Sequence, residues 1–177
     1  IERAIRDNDA GGLFEYLRSA IEGMDYDRLR NAVSELAAKT ALRAPRAGIE
    51  ALTQSIDRRY PTGEKKRGSV YTILRDGLEK IFAQQPLFDE PRESVYRRIA
   101  WETRNRLRAP RGEERTLLID AHGFAAEGDN CDARIAVDAY NLGWRHIVHY
   151  NSRGTRFHAA GFGPATDGLR IDCYDNP

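Results

Sequence analysis

The sequence predicts an α+β protein, with a helical domain over roughly residues 1–110 and a strand-rich unit over roughly 116–177. Two observations carry that expectation. Apolar residues recur at spacings of three and four through the first part, as amphipathic helices require. From Thr116 the texture changes to short apolar runs separated by glycine, which reads as strands and tight corners.

In the helical part, Leu13, Leu17 and Ala20, flanked by Phe14 and Ile21, form the stripe of a first helix, and Tyr26, Leu29, Val33 and Leu36 that of a second. Ile49, Leu52 and Ile56 continue the period after Pro45. Ser69 is placed to cap a fourth helix carrying Ile73, Leu74, Leu78, Ile81 and Phe82. Pro91 suits the first turn of a fifth, holding Val95, Ile99 and Ala100. Tyr60–Gly63 and Gln85-Pro86 break the pattern, and Glu64–Arg67 reads as an exposed charged loop. Gly48 and Gly77 fall inside helices, where each costs about 1 kcal/mol relative to alanine.

In the second part, Thr116–Asp120 reads as a strand ended by the Gly123 turn. Asp129 or Asn130 is placed to cap a helix with Ala133, Ile135, Ala136, Val137 and Tyr140 on its apolar side, stopped by Gly143. Three strands follow, near 145–150, 155–160 and 169–174, with turns at Asn151–Gly154 and Gly161–Gly168. Strands of that length with such brief corners suit a coil of parallel β-helix or a small meander.

Composition narrows the function classes. Lys and Arg number 28 against 27 Asp and Glu, a net charge of +1, so no global field recruits nucleic acid or an acidic membrane. The two cysteines, Cys131 and Cys173, form no disulfide framework and no metal-binding spacing, which points to a reduced, cytoplasmic setting. No apolar run is long enough to span a bilayer. The chain opens on Ile1 rather than methionine and stops at Pro177 just past a predicted strand, so both ends read as cut.

Candidate chemistry is sparse. There is no G-x-S-x-G elbow, P-loop, C-x-x-C pair or H-E-x-x-H. His146 and His149 are three apart, and on a strand that spacing turns them to opposite faces, so they do not converge on one ion. His149 and His158 fall on adjacent predicted strands with Cys173 nearby, which reads as a stack of side chains along a β coil. No metal, iron–sulfur cluster or flavin is expected. Asp120 and His122 alternate onto one face as an acid–base pair, but no nucleophile adjoins them, and Asp120 at a strand end also suits tying down the turn. The connector from Arg97 to Arg115 holds Arg98, Arg104, Arg106, Arg108 and Arg111 beside Trp101. Guanidinium groups and a stacking indole suit a nucleic-acid stripe. Glu93, Glu102, Glu113 and Glu114 neutralise much of it, and a junction packed by Arg stems is the competing reading.

The order strand, helix, strand, followed by I-V-H-Y-N-S-R-G-T-R-F-H-A-A-G-F-G-P and L-R-I-D-C-Y-D-N-P, resembles the entry to the GXGXG module. That module is the right-handed β-helix at the C-terminus of the glutamate synthase large subunit, and it is similar to the C subunit of formylmethanofuran dehydrogenases. Asn151, Gly154, Arg156, Phe157, Gly161, Gly163 and Gly168 occupy the matching turn positions. The resemblance covers residues 116–177 and rests on one coil; the repeated coils that name the family would begin after Pro177. It implies a non-catalytic scaffold without cofactor, part of a glutamate synthase-like oxidoreductase or amidotransferase of nitrogen metabolism. The implied partners are catalytic flavoprotein and glutaminase-like subunits, with homo-oligomerisation a further option and no membrane. Alternatives are a formylmethanofuran dehydrogenase C-subunit-like protein, a helical domain binding nucleic acid through the Arg97–Arg115 connector, and a hydrolase using Asp120 and His122.

Overall fold

In a computed structural model of the chain, residues 1–152 and 158–174 are described below. The protein is α+β and divides into two compact units, Ile1–Gln84 and Gln85–Pro177.

The first unit is helical. A short α1 (Glu2–Arg6) precedes α2 (Ala10–Gly23), α3 (Tyr26–Arg43), α4 (Pro45–Asp57) and α5 (Arg67–Ala83). Asp9 and Asp25 cap α2 and α3 through side-chain bonds to the Gly12 and Arg28 N–H groups. The apolar stripes of α2 and α5 are buried as their spacing predicts, and so are Leu29, Val33 and Leu36 of α3, whereas Tyr26, expected on the same stripe, is exposed at the start of the helix. On α4 the buried face is different: Ala47, Gly48, Ala51, Leu52 and Ser55 lie inside, while Ile49 and Ile56 are only half-buried. Small side chains there let neighbouring elements approach, and a Cβ on Gly48 would sit 2.7 Å from the Thr40 Cβ and 3.0 Å from Ile81 Cδ1. Gly77 is in a similar position on α5, where a Cβ would lie 2.6 Å from Val33 Cγ1. These glycines give up helix propensity to close packing.

Two expected features of this region differ in the structure. Ser69 does not cap α5; the helix starts two residues earlier, after Lys66, without a side-chain cap bond. The expected fifth helix is absent, and Tyr96–Ile99 forms strand β1 instead. Val95 and Ile99 have helical spacing, but Tyr96, Arg97, Arg98 and Ile99 gain a ladder against Thr116, Leu117, Leu118 and Ile119 that four residues cannot match as a lone helix.

The second unit is a parallel sheet in the order β1-β2-β3-β4, with β2 at Thr116–Asp120, β3 at His146–Tyr150 and β4 at Arg170–Cys173. Every pairing is parallel and follows chain order, so these strands do not form a meander. A 3-10 turn, Trp101–Arg106, lies between β1 and β2. Helix α6 (Asp132–Asn141) links β2 to β3. Its N-cap is Cys131 rather than Asp129 or Asn130, because the Asn130 carbonyl accepts from the Ala125 N–H and holds the preceding loop shut. Gly143, at φ +106°, ends the helix as expected. Of the strand expected near 155–160, residues 155–157 lie outside the described set, and 158–160 are in a turn. Ile99, Leu117, Ile119 and Ile147 on one face of the sheet pack with Ala136, Ala139, Trp144, Phe88 and Phe124, with Leu169 beside them. Among the described residues no helix is long and apolar enough to cross a membrane.

Candidate functional site

Parallel strands end together, and ligands of open α/β sheets gather where strand C-termini meet helix N-termini. Here that corner is built by the end of β3, the start of α6 and the turn at His158. Alternation along β3 puts Ile147 and His149 on the face that α6 covers, and His146, Val148 and Tyr150 on the other. Asp132 is the first residue of α6 and is fully buried. Its Oδ2 lies 2.8 Å from His149 Nδ1 and 2.5 Å from His158 Nδ1. The two imidazoles are 4.9 Å apart between ring centres. His149 is also fully buried, and His158 nearly so.

Burial pushes the His149 imidazole below its ordinary pKa, outweighing the attraction of Asp132. Burial alone would raise the Asp132 carboxyl, but hydrogen bonds from His149 and then His158 bring it below the usual carboxylate value. The cluster is therefore a buried carboxylate whose one oxygen is shared by two imidazoles. It leaves two buried polar atoms without a hydrogen-bond partner, Asp132 Oδ1 and His149 Nε2.

His146 is held elsewhere. Its Nδ1 is 2.9 Å from the Thr116 hydroxyl and its Nε2 is 2.8 Å from Asp172 Oδ2, an oxygen that also receives Arg170. The i, i+3 argument from sequence is thus met: His146 and His149 serve separate clusters. Histidine spacing alone gives no ligand set, and Asp132 completes one because α6 returns its first residue to the end of β3. The signal available in sequence was an acidic residue opening a helix just before a histidine-bearing strand.

The structure places the Asp120 carboxylate against the turn. It accepts from the His122 backbone N–H at 3.2 Å, from Asn151 Nδ2 at 3.1 Å and from the Tyr150 hydroxyl at 3.3 Å. His122 itself is exposed. Burial first, and then the Asp120 charge, raise the Tyr150 pKa, so its hydroxyl stays protonated as the donor. Of the glycine-turn motif, Asn151 takes a left-handed conformation at φ +57°, and Gly161 and Gly168 take positive φ of +92° and +68°. Gly163 does not require that region, while Gly154, Arg156 and Phe157 lie outside the described residues.

The arginine connector is tied together from within. Glu114 is buried and bonds Arg97 Nε at 2.5 Å, Arg108 at 2.7 and 2.9 Å, and the Arg111 N–H at 2.9 Å. Burial alone would raise its pKa, but the Arg108 and Arg97 guanidinium groups and that N–H hold it down at about 2. Arg104 stacks over Trp101 at 3.5 Å from the ring centre, Arg108 covers Phe88, and Arg106 pairs with Asp89. An open groove of about 590 Å³ runs between this 3-10 turn and α6, with the Arg134–Asp138 pair on its wall.

No family model, curated protein or solved structure matches the chain.

Proposed function

We propose that the second unit is the entry to a right-handed parallel β-helix, and that the protein is a non-catalytic scaffold of a glutamate synthase-like multi-subunit oxidoreductase or amidotransferase. The observation that carries this reading is the sheet order. Four parallel strands add one after another in chain order, each in register with the last, so that the sheet grows at a single edge. Parallel strands joined by crossovers wind right-handed in about 98% of cases. The link from β3 to β4 contains no helix among its described residues, as a coil would require and a doubly wound sheet would not.

The polar groups support a scaffold in preference to the other classes. Asp120 is spent on fastening the turn after β2 to the end of β3. Arg97 and Arg108 are engaged by Glu114, and Arg104 by Trp101, which removes them from an exposed phosphate-binding stripe. Edge strand β4 offers the next pairing position, to a further coil or to a partner.

Co-purification from native cells tests the proposal. The tagged full-length protein is expected to bring down, at fixed stoichiometry, a subunit identified as a flavoprotein or a glutaminase. Recovery of a lone protein, or of nucleic acid released by moderate salt, contradicts it.

A further inference from the structure

We propose that Asp132, His149 and His158 form a binding site for one divalent transition-metal ion of the zinc type, which clips the start of α6, the end of β3 and the following turn together. One ligand atom from each residue lies within 4.8 Å of the others, and all three side chains are buried. Two imidazole nitrogens and one carboxylate oxygen are the donor set that zinc and its neighbours in the transition series take, whereas calcium and magnesium take oxygen alone.

A second observation points to a ligand. Asp132 Oδ1 and His149 Nε2 are buried without a hydrogen-bond partner, and neither residue is at all exposed. An unpaired polar atom in an interior carries an uncompensated desolvation cost. The cluster also places a carboxylate between two histidines, and among the described residues no lysine or arginine pairs with Asp132. A carboxylate buried without a lysine or arginine beside it is expensive, and a dication removes that cost. Coordination through either imidazole nitrogen leaves the other free to carry the ring proton.

The topology supplies a fourth position. Cys173 on β4 pairs in register with His149 and so shares its face of the sheet, which makes its thiol one candidate for that place; water is the other. Spectroscopy distinguishes these, because a thiolate adds a charge-transfer band that water does not. The site goes beyond the scaffold reading and stands apart from it: a metal clip would fasten a first coil in any complex, and its loss would leave the partner test unaffected.

The experiment uses the whole chain, stripped with a chelator and titrated with Co²⁺ and then Zn²⁺. The expected result is one saturable equivalent of Co²⁺ with the intense visible bands of a four-coordinate site, displaced by one equivalent of Zn²⁺. His158→Gln and Asp132→Asn are each expected to weaken Co²⁺ binding by roughly 100-fold or more, by analogy with the loss seen when even supporting groups are removed. His146→Gln, on the same strand but outside the cluster, should keep the full equivalent. Because Asp132→Asn could unfold the corner, circular dichroism is read alongside, and His158→Gln, at a turn, serves as the second variant. Absence of saturable Co²⁺ binding by the folded wild-type chain overturns the proposal. So does binding that survives undiminished in folded His158→Gln and Asp132→Asn proteins.

Discussion

Glu114 shows how one carboxylate can organise a segment that its composition presents as a positive stripe. It takes hydrogen bonds from Arg97, Arg108 and the Arg111 N–H at a site almost closed to water. Its pKa falls from 4.5 to about 2 on folding, so its contribution is complete above about pH 4.5 and is lost as pH drops towards 2. That contribution is on the order of 3 kcal/mol. Glu114→Gln leaves Arg97 buried beside a neutral group, and a loss of about 3–5 kcal/mol is expected, with a flatter stability profile between pH 4.5 and 2. Urea unfolding across that pH range measures both, and an unchanged acid limb in the variant would contradict the assignment. Gly77 makes a second test. Helix propensity alone predicts that Gly77→Ala stabilises by about 1 kcal/mol, whereas the Val33 contact predicts a net loss of about 1–3 kcal/mol. The direction of the shift in the urea midpoint decides between them. Helix propensity alone marks these glycines as weak points, because a close approach between helices has no local signature in the sequence. Asp132 was missed for the same reason, since its histidine partners lie 17 and 26 residues away.

At the level of elements, legibility followed length and periodicity. Helices α2 and α5 bury the apolar stripes that the spacing declares, α3 buries all of its stripe but the terminal Tyr26, and β2 is a bounded apolar run with an equally plain signature. Strand β1 has the spacing of a helix because Val95 and Ile99 fit both periods, and only the ladder to β2 decides between them. The cap of α6 was misplaced for a related reason: Asp129 and Asn130 both have capping side chains, but the Ala125–Asn130 bond fixes the loop so that Cys131 takes the position. Strand β4 is weakly held, with an exposed Arg170, a half-buried Ile171 and, among the described residues, one neighbouring strand. Ile171 pairs with Ile147 on the face that Leu169 and Cys173 share. Ile171→Lys is expected to cost about 1–3 kcal/mol by burying an ammonium stem on that face. Faster exchange of the Arg170 and Tyr174 amides would report it; unchanged protection would show that β4 is held by other contacts.

For the whole molecule, the central claim is that this parallel sheet continues at β4 in the working assembly. The sequence supplied the alternation of strand, helix and strand; chain-order pairing and uniform parallel register emerge only once the strands meet, because no local pattern encodes which strand lies beside which. Backbone direction makes the claim measurable. The Arg170 and Tyr174 N–H groups bond to the Arg145 and His149 carbonyls of the β3 side, so the intervening alternate amides, Ile171 and Cys173, face the open edge. Residue-resolved hydrogen exchange on the isolated chain and on the assembled full-length complex compares these two sets directly. The account predicts that Arg170 and Tyr174 are protected in both, while Ile171 and Cys173 exchange quickly in the isolated chain and slow by at least roughly 100-fold in the complex, as a new strand of hydrogen bonds would produce. Ile171 and Cys173 amides that exchange as fast in the complex as in the isolated chain would contradict it, for no further coil or partner strand would then be covering the edge.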